Sequence, residues 1–128
     1  MDIKHTVSPK QALEFIKNGA LLIDLRNPDF LNGREFDVPE ILYIFHSKLE
    51  ELYHEIPNDR TVILADNVGI QSNKAVDFLI SKGYRNVFSL TGGVIDWEKD
   101  KLPLKLDKGN EMVGGCACKL TPRKFIKE

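Results

Sequence analysis

The sequence predicts an α/β protein with a mainly parallel sheet and helices on both faces, and three observations predict it. Short apolar runs, "ALLIDL" (20–25), "TVILA" (61–65) and "RNVFSL" (85–90), have the length and near-continuous apolar character of strands buried on both sides. Segments with apolar residues at helical spacing separate them. Those segments carry start and stop signals, so the strand–helix alternation implies βαβ units rather than a meander.

The elements follow in order. "SPKQALEFIKNG" opens with Ser8 as N-cap and Pro9 at the first helical position, and Gly19 suits a left-handed C-cap. Ala12, Leu13, Phe15 and Ile16 give this helix its apolar face. The strand 20–25 leads into "NPDF", a turn and short helix, and a second apolar run, "ILYIF", covers 41–45. "SKLEELYHEI" reads as a helix with a capping box, Ser47 and Glu50, ahead of Leu49, Leu52, Tyr53 and Ile56. "PNDR" turns the chain into the strand 61–65, and a helix over about 71–82 carries Ala75, Val76, Leu79 and Ile80 and closes on Gly83. A strand over 86–90, the turn "TGG" and a short helix "VIDWEKD" complete the pattern, which dissolves after Pro103.

Composition excludes several function classes. With 128 residues the chain suits one domain, and 42% hydrophobic with 29% charged residues is ordinary for a globular protein. A formal net charge of -1 gives no reason to expect nucleic acid or an anionic membrane as partner. No apolar run approaches the ~20 residues of a membrane span, and "MDIKHTVSPK" lacks the apolar core of a signal peptide. The only cysteines, Cys116 and Cys118, sit together near the C-terminus, which is no secreted disulfide framework and leads to a cytoplasmic reading. No cofactor and no metal site are expected.

Three motifs together resemble the rhodanese-like domain family. "LLIDLRNPDF" is similar to the strand and Asp-x-Arg signature that opens such domains. "SKGYRNVFSLTGGVIDW" is similar to their closing pattern, with Gly83, Tyr84, Val87, Gly92, Gly93 and Trp97 in order and spacing. "DVPEILYIF" (37–45) is a degraded form of a His-Ile-Pro-Gly-Ala segment in which Pro39 is kept. The resemblance covers about residues 4–104 and implies a rhodanese-like three-layer α/β/α fold with a five-stranded sheet. It divides the chain into a domain at 1–104 and an extension at 105–128.

The same resemblance places the family's active-site loop on residues 66–71. Active members read Cys-x-x-Gly-x-Arg there, followed by Ser; this chain reads Asp66, Asn67, Val68, Gly69, Ile70 and Gln71, followed by Ser72. Loop length matches the sulfurtransferase branch, the phosphatase branch having one residue more. Asp66 therefore stands in the nucleophile's place, the arginine is replaced by Gln71, and no catalytic residue is expected in the loop.

The chemistry explains what is lost. Sulfur transfer needs a thiolate that carries a sulfane sulfur as a persulfide, held by loop N–H groups and a helix N-terminus. A carboxylate holds no sulfane sulfur but accepts the same N–H bonds, so Asp66 is expected to fill the cradle as a built-in anion. The blander reading, Asp66 as a strand-end turn or N-cap residue, also implies no chemistry. A nucleophilic Asp66 forming an acyl-phosphate would want further carboxylates, and Asp24 is the one second acid in view.

"GGCACKLTPRK" is the other stretch that could carry chemistry. Lys119, Arg123 and Lys124 would favour the thiolates of Cys116 and Cys118, and Gly114 and Gly115 allow movement. Redox or persulfide chemistry, half of a tetrahedral zinc site completed by His5, His46, His54 or a second chain, and two unengaged thiols on a mobile tail are all open readings. His46 and His54 otherwise read as surface or cap residues, and Phe88 and Trp97 as core. Two functions follow: a rhodanese-like binding or regulatory module without thiosulfate sulfurtransferase activity, or a persulfide or redox protein using Cys116 and Cys118. The partner would be an unidentified protein or sulfur carrier.

Overall fold

In the computed structural model, which describes residues 5–27, 29, 31, 33–106 and 124–125, the apolar runs become adjacent parallel strands. In chain order these are β1 (Thr6–Val7), β2 (Leu21–Asp24), β3 (Arg34–Phe36), β4 (Ile41–Tyr43), β5 (Val62–Ala65), β6 (Val87–Leu90), β7 (Leu104–Leu106) and β8 (Lys124–Phe125). The main sheet runs β1-β6-β5-β2-β4-β8 with every pair parallel. The expected neighbours pair as anticipated: Leu22 opposes Ile63 between β2 and β5, and Ile63 opposes Phe88 between β5 and β6. Five strands, β1 to β6 without β3, make the parallel sheet expected of the fold, and β8 adds a sixth beside β4. Thr6–Val7, the antiparallel β3–β7 ribbon and the β8 pair went unread in the sequence.

Among the described residues four α-helices cover the sheet: α1 (Pro9–Lys17), α2 (Leu49–Leu52), α3 (Ile70–Ser81) and α4 (Gly93–Lys99). Helix α1 starts as read, with the Ser8 hydroxyl accepting from the Gln11 N–H (3.2 Å) and the Gln11 side chain accepting from the Ser8 N–H (3.0 Å). Gly19 takes φ 103° just past its end. The helix expected at 47–56 is broken into a 3₁₀ turn at His46–Lys48, the single turn α2, and a 3₁₀ turn at Tyr53–Glu55. Ser47 and Glu50 do not form a capping box there. The His46 N–H is held by the Leu25 carbonyl (2.9 Å), so the turn begins before Ser47. At the other end the Tyr53 carbonyl accepts the Ile56 N–H (2.8 Å), closing a 3₁₀ turn, and Tyr84 donates its hydroxyl proton toward the carbonyls of Tyr53 and Ile56.

Period-two alternation sends side chains to both faces. Leu21, Ile23, Val62 and Leu64 pack with Ala75, Val76 and Leu79 of α3, while Leu22, Ile63 and Ala65 pack with Ala12, Ile16, Val94 and Trp97. Trp97 is fully buried, meets Phe36 edge-on at 5.2 Å, and donates its indole N–H to the Pro103 carbonyl (2.8 Å). Each fully buried aliphatic side chain contributes about 1.5–3 kcal/mol.

Strand order positions the site. The chain moves from β2 outward to β4, then returns to the opposite side of β2 as β5 and continues away to β6. Connections leaving β2 and β5 thus diverge, and a crevice opens beyond their C-terminal ends.

Candidate functional site

Asp66 is the first residue past β5 and lies in the turn that starts α3, as expected. It is buried. Its Oδ1 accepts from the Gly69 N–H (2.7 Å) and its Oδ2 from the Gln71 N–H (2.8 Å). The Ser72 hydroxyl lies 3.3 Å from Oδ1 and 3.2 Å from the Gly69 carbonyl, and 2.9 Å from the Ser89 hydroxyl of β6. Gly69, at φ 101°, turns these N–H groups inward, a conformation that suits a residue without Cβ. The carboxylate therefore satisfies donors at a helix start that would otherwise lack partners.

Helix α4 clamps the loop from outside. The Val94 N–H donates to the Asp66 carbonyl (2.9 Å) and the Ile95 N–H to the Asn67 carbonyl (3.2 Å). Gly93 makes that approach possible: a Cβ there would lie 2.4 Å from backbone atoms of Asp66 and Asn67. The "TGG" turn so serves the loop as well as the helix it starts.

The crevice predicted by strand order is a cavity of about 230 Å³ lined by Arg26 and Asn27 after β2, Phe45 and His46 after β4, and Asp66 and Gln71 after β5, among others. A second hollow of about 150 Å³ shares His46 and Gln71 and extends toward Lys74 and Phe78. His46, read as a surface or cap residue, is half-buried and lines both hollows. Its position just after the second apolar run, at a strand's C-terminal end, was the available signal. The Ser72–Ser89 contact had none, since it joins residues that the sequence leaves far apart.

Asp24 does not face the crevice as a free acid. It is fully buried, and Arg26 grips it through Nε (3.0 Å) and Nη2 (2.8 Å) while donating its own N–H (3.0 Å). Burial pushes the Asp24 carboxyl up from its ordinary value, and hydrogen bonds and charge from Arg26 pull it back. Arg26 also donates to the Arg34 carbonyl (2.8 Å) and lies over the Phe36 ring.

The remaining expected residues disperse. Val68 and Ile70 point outward, 53% and 59% exposed. The His5 ring contacts the Val87 carbonyl on the far side of β6, and His54 sits by Glu55. Among the described residues no group of three or more His, Cys, Asp or Glu could hold a metal, and no helix is long and apolar enough to cross a membrane. Cys116 and Cys118 lie outside the described residues.

A parallel α/β domain with a loop-to-helix anion cradle at its switch point defines a class, and comparison with known proteins identifies it. The model of the rhodanese-like domain matches residues 8–100, and the chain belongs to this family. It is 30% identical over 101 residues to the thiosulfate sulfurtransferase GlpE of Haemophilus influenzae, covering 77% of this chain and 91% of that protein. It is 32% identical over 90 residues to a sulfurtransferase of Allochromatium vinosum, covering 70% and 81%. A rhodanese-related protein of Thermoplasma volcanium superposes with a TM-score of 0.71 at 25% identity, over 79% of this chain and 97% of that one.

Proposed function

We propose that this chain is a rhodanese-family module that binds a partner and transfers no sulfur through its loop. The observation that carries the reading is the Asp66 carboxylate, which accepts the Gly69 and Gln71 N–H bonds that a persulfide would need. On the family resemblance Asp66 replaces the cysteine and Gln71 the arginine, and residues 66–72 contain no thiol. A carboxylate cannot take up a sulfane sulfur, and without the arginine nothing in the loop draws in an anionic donor. In this reading residues 1–104 form the module, residues 105–128 extend it, and no cofactor takes part.

A second reading is favoured by the pairing of β8 with β4, Leu42 opposite Lys124. It ties the chain back to the sheet six residues after Cys118, next to the strand that leads into Phe45 and His46. Here Cys116 or Cys118 supplies the sulfur-carrying thiol.

Incubation with thiosulfate and cyanide separates the two. The first reading expects no thiocyanate above background from the wild type. Turnover lost in the Cys116→Ser, Cys118→Ser double variant would establish the second, and turnover that survives it would overturn both.

A further inference from the structure

We infer that the crevice over Asp66 receives a lysine side chain from an extended segment of a partner protein, flanked there by aliphatic residues. The inference rests on the binding-module reading and gives it a partner chemistry.

Charge is the first argument. Asp66 lines the crevice, and its bonding partners, two backbone N–H groups and a shared hydroxyl, are all uncharged. Among the described residues it makes no ion pair; Arg26, the one lysine or arginine of the crevice wall, is committed to Asp24 and the Arg34 carbonyl, and His46 is the other basic side chain there. The start of α3 offsets only about half a charge. A site that stays net negative at its floor repels anions and attracts a cation.

The shape of the acceptor selects the cation. A carboxylate has about four lone-pair directions, and the two N–H groups with the Ser72 hydroxyl leave one. That suits the point charge of an ammonium, whereas a guanidinium fork seeks two parallel acceptors. Asn27, Asn67 and Gln71 line the same crevice with side-chain amides, whose oxygens are acceptors for the remaining ammonium protons; the Asn27 Oδ1 keeps one lone pair beside its bond from the Asp29 N–H (2.9 Å). The half-buried Phe45 ring, which meets the His46 ring at 4.6 Å, supplies apolar wall for the lysine stem.

The rim identifies the source as a protein segment. Val68, Ile70 and Ile95 are three of the five large apolar side chains exposed among the described residues. The Ile95 N–H on the Asn67 carbonyl puts all three around one loop. Residues 67–73 and 91–95 carry no charge in a chain that is 29% charged, the composition of an interface centre rather than a solvated face. Three side chains are too few for a stable dimer of this chain, which needs about 800 Å² from each copy, so an anchor inserted in the crevice must carry the affinity.

The test titrates the full ¹⁵N-labelled chain with acetyl-Leu-Lys-Leu-amide and follows backbone amide shifts. Saturable shifts are expected at Asn67, Gly69 and Gln71, with affinity falling as salt is added. The norleucine analogue should bind at least about tenfold more weakly, the glutamate analogue should leave these amides unmoved, and n-butylammonium alone should bind more weakly than the peptide. Asp66→Asn should erase the preference for lysine over norleucine. Because the peptide comparison uses wild-type protein, it decides even if that variant does not fold. Equal binding of the lysine and norleucine peptides, equal binding of butylammonium, shifts away from the crevice, or none at about 10 mM peptide would each overturn the inference. Thiocyanate formation, by contrast, would overturn the binding-module reading itself.

Discussion

Asp66 and Asp24 are both buried aspartates at strand ends, yet their surroundings give them different work. Asp24 is neutralised by Arg26 and holds the turn after β2 in shape. Replacing it with alanine strands a buried guanidinium, and chemical denaturation should register a loss of about 3–5 kcal/mol. Asp66 is satisfied by the loop's own N–H groups. Asp66→Ala leaves the buried Gly69 N–H without its acceptor, for an expected loss of about 1–3 kcal/mol in the same measurement. A loss as large as that of the Asp24 variant would mean that Asp66 has a charged partner. The sequence singled out Asp66 because a polar residue ended an apolar run before Gly69. It could not distinguish a cradle from a plain turn, since that depends on where two N–H vectors point.

At the level of elements, the loop exists because two segments distant in sequence are built to meet. Strand β5 and helix α3 make it, and α4 closes it through Gly93. Gly93→Ala should cost about 1–3 kcal/mol through overpacking, with about 1–2 kcal/mol of left-handed strain in addition. Gly19→Ala, where nothing lies within 4 Å of the added methyl, should show the strain alone. Equal losses for the two would mean that α4 does not press on the loop. Long periodic elements were legible: α1 with its Ser8 box, α3, and the β2, β5 and β6 strands. In the segment after β4 the local signals, Ser47 and Glu50, are overruled by the tie of the His46 N–H to the Leu25 carbonyl and by the 3₁₀ closure of Ile56 onto the Tyr53 carbonyl. The two- and three-residue strands β1, β3, β7 and β8 carry too few residues to show a period.

For the molecule as a whole, the architecture is that of the rhodanese-like family. The divergence between β2 and β5 and the crevice beyond them appear only in the assembled sheet, whereas the parallel sheet itself was implied by motif order. Which residues line that crevice was not, because Asn27, Phe45 and His46 come from turns whose directions only the assembled sheet sets. On the proposed reading of residues 66–72, the scaffold should still support the family's chemistry once the loop is supplied with a thiol. Asp66→Cys with Gln71→Arg introduces a thiol and a charge that attracts an anionic donor, and some thiosulfate sulfurtransferase turnover is expected, more than from Asp66→Cys alone. The most direct test of the account, that residues 66–72 form an anion cradle filled by Asp66, is the pKa of that introduced thiol. It would be measured by pH-dependent alkylation in a variant that also carries Cys116→Ser and Cys118→Ser, so that one thiol reports. The account predicts a value below the ~8.5 of a free cysteine; an unshifted value in a folded variant would contradict it and leave Asp66 a turn residue.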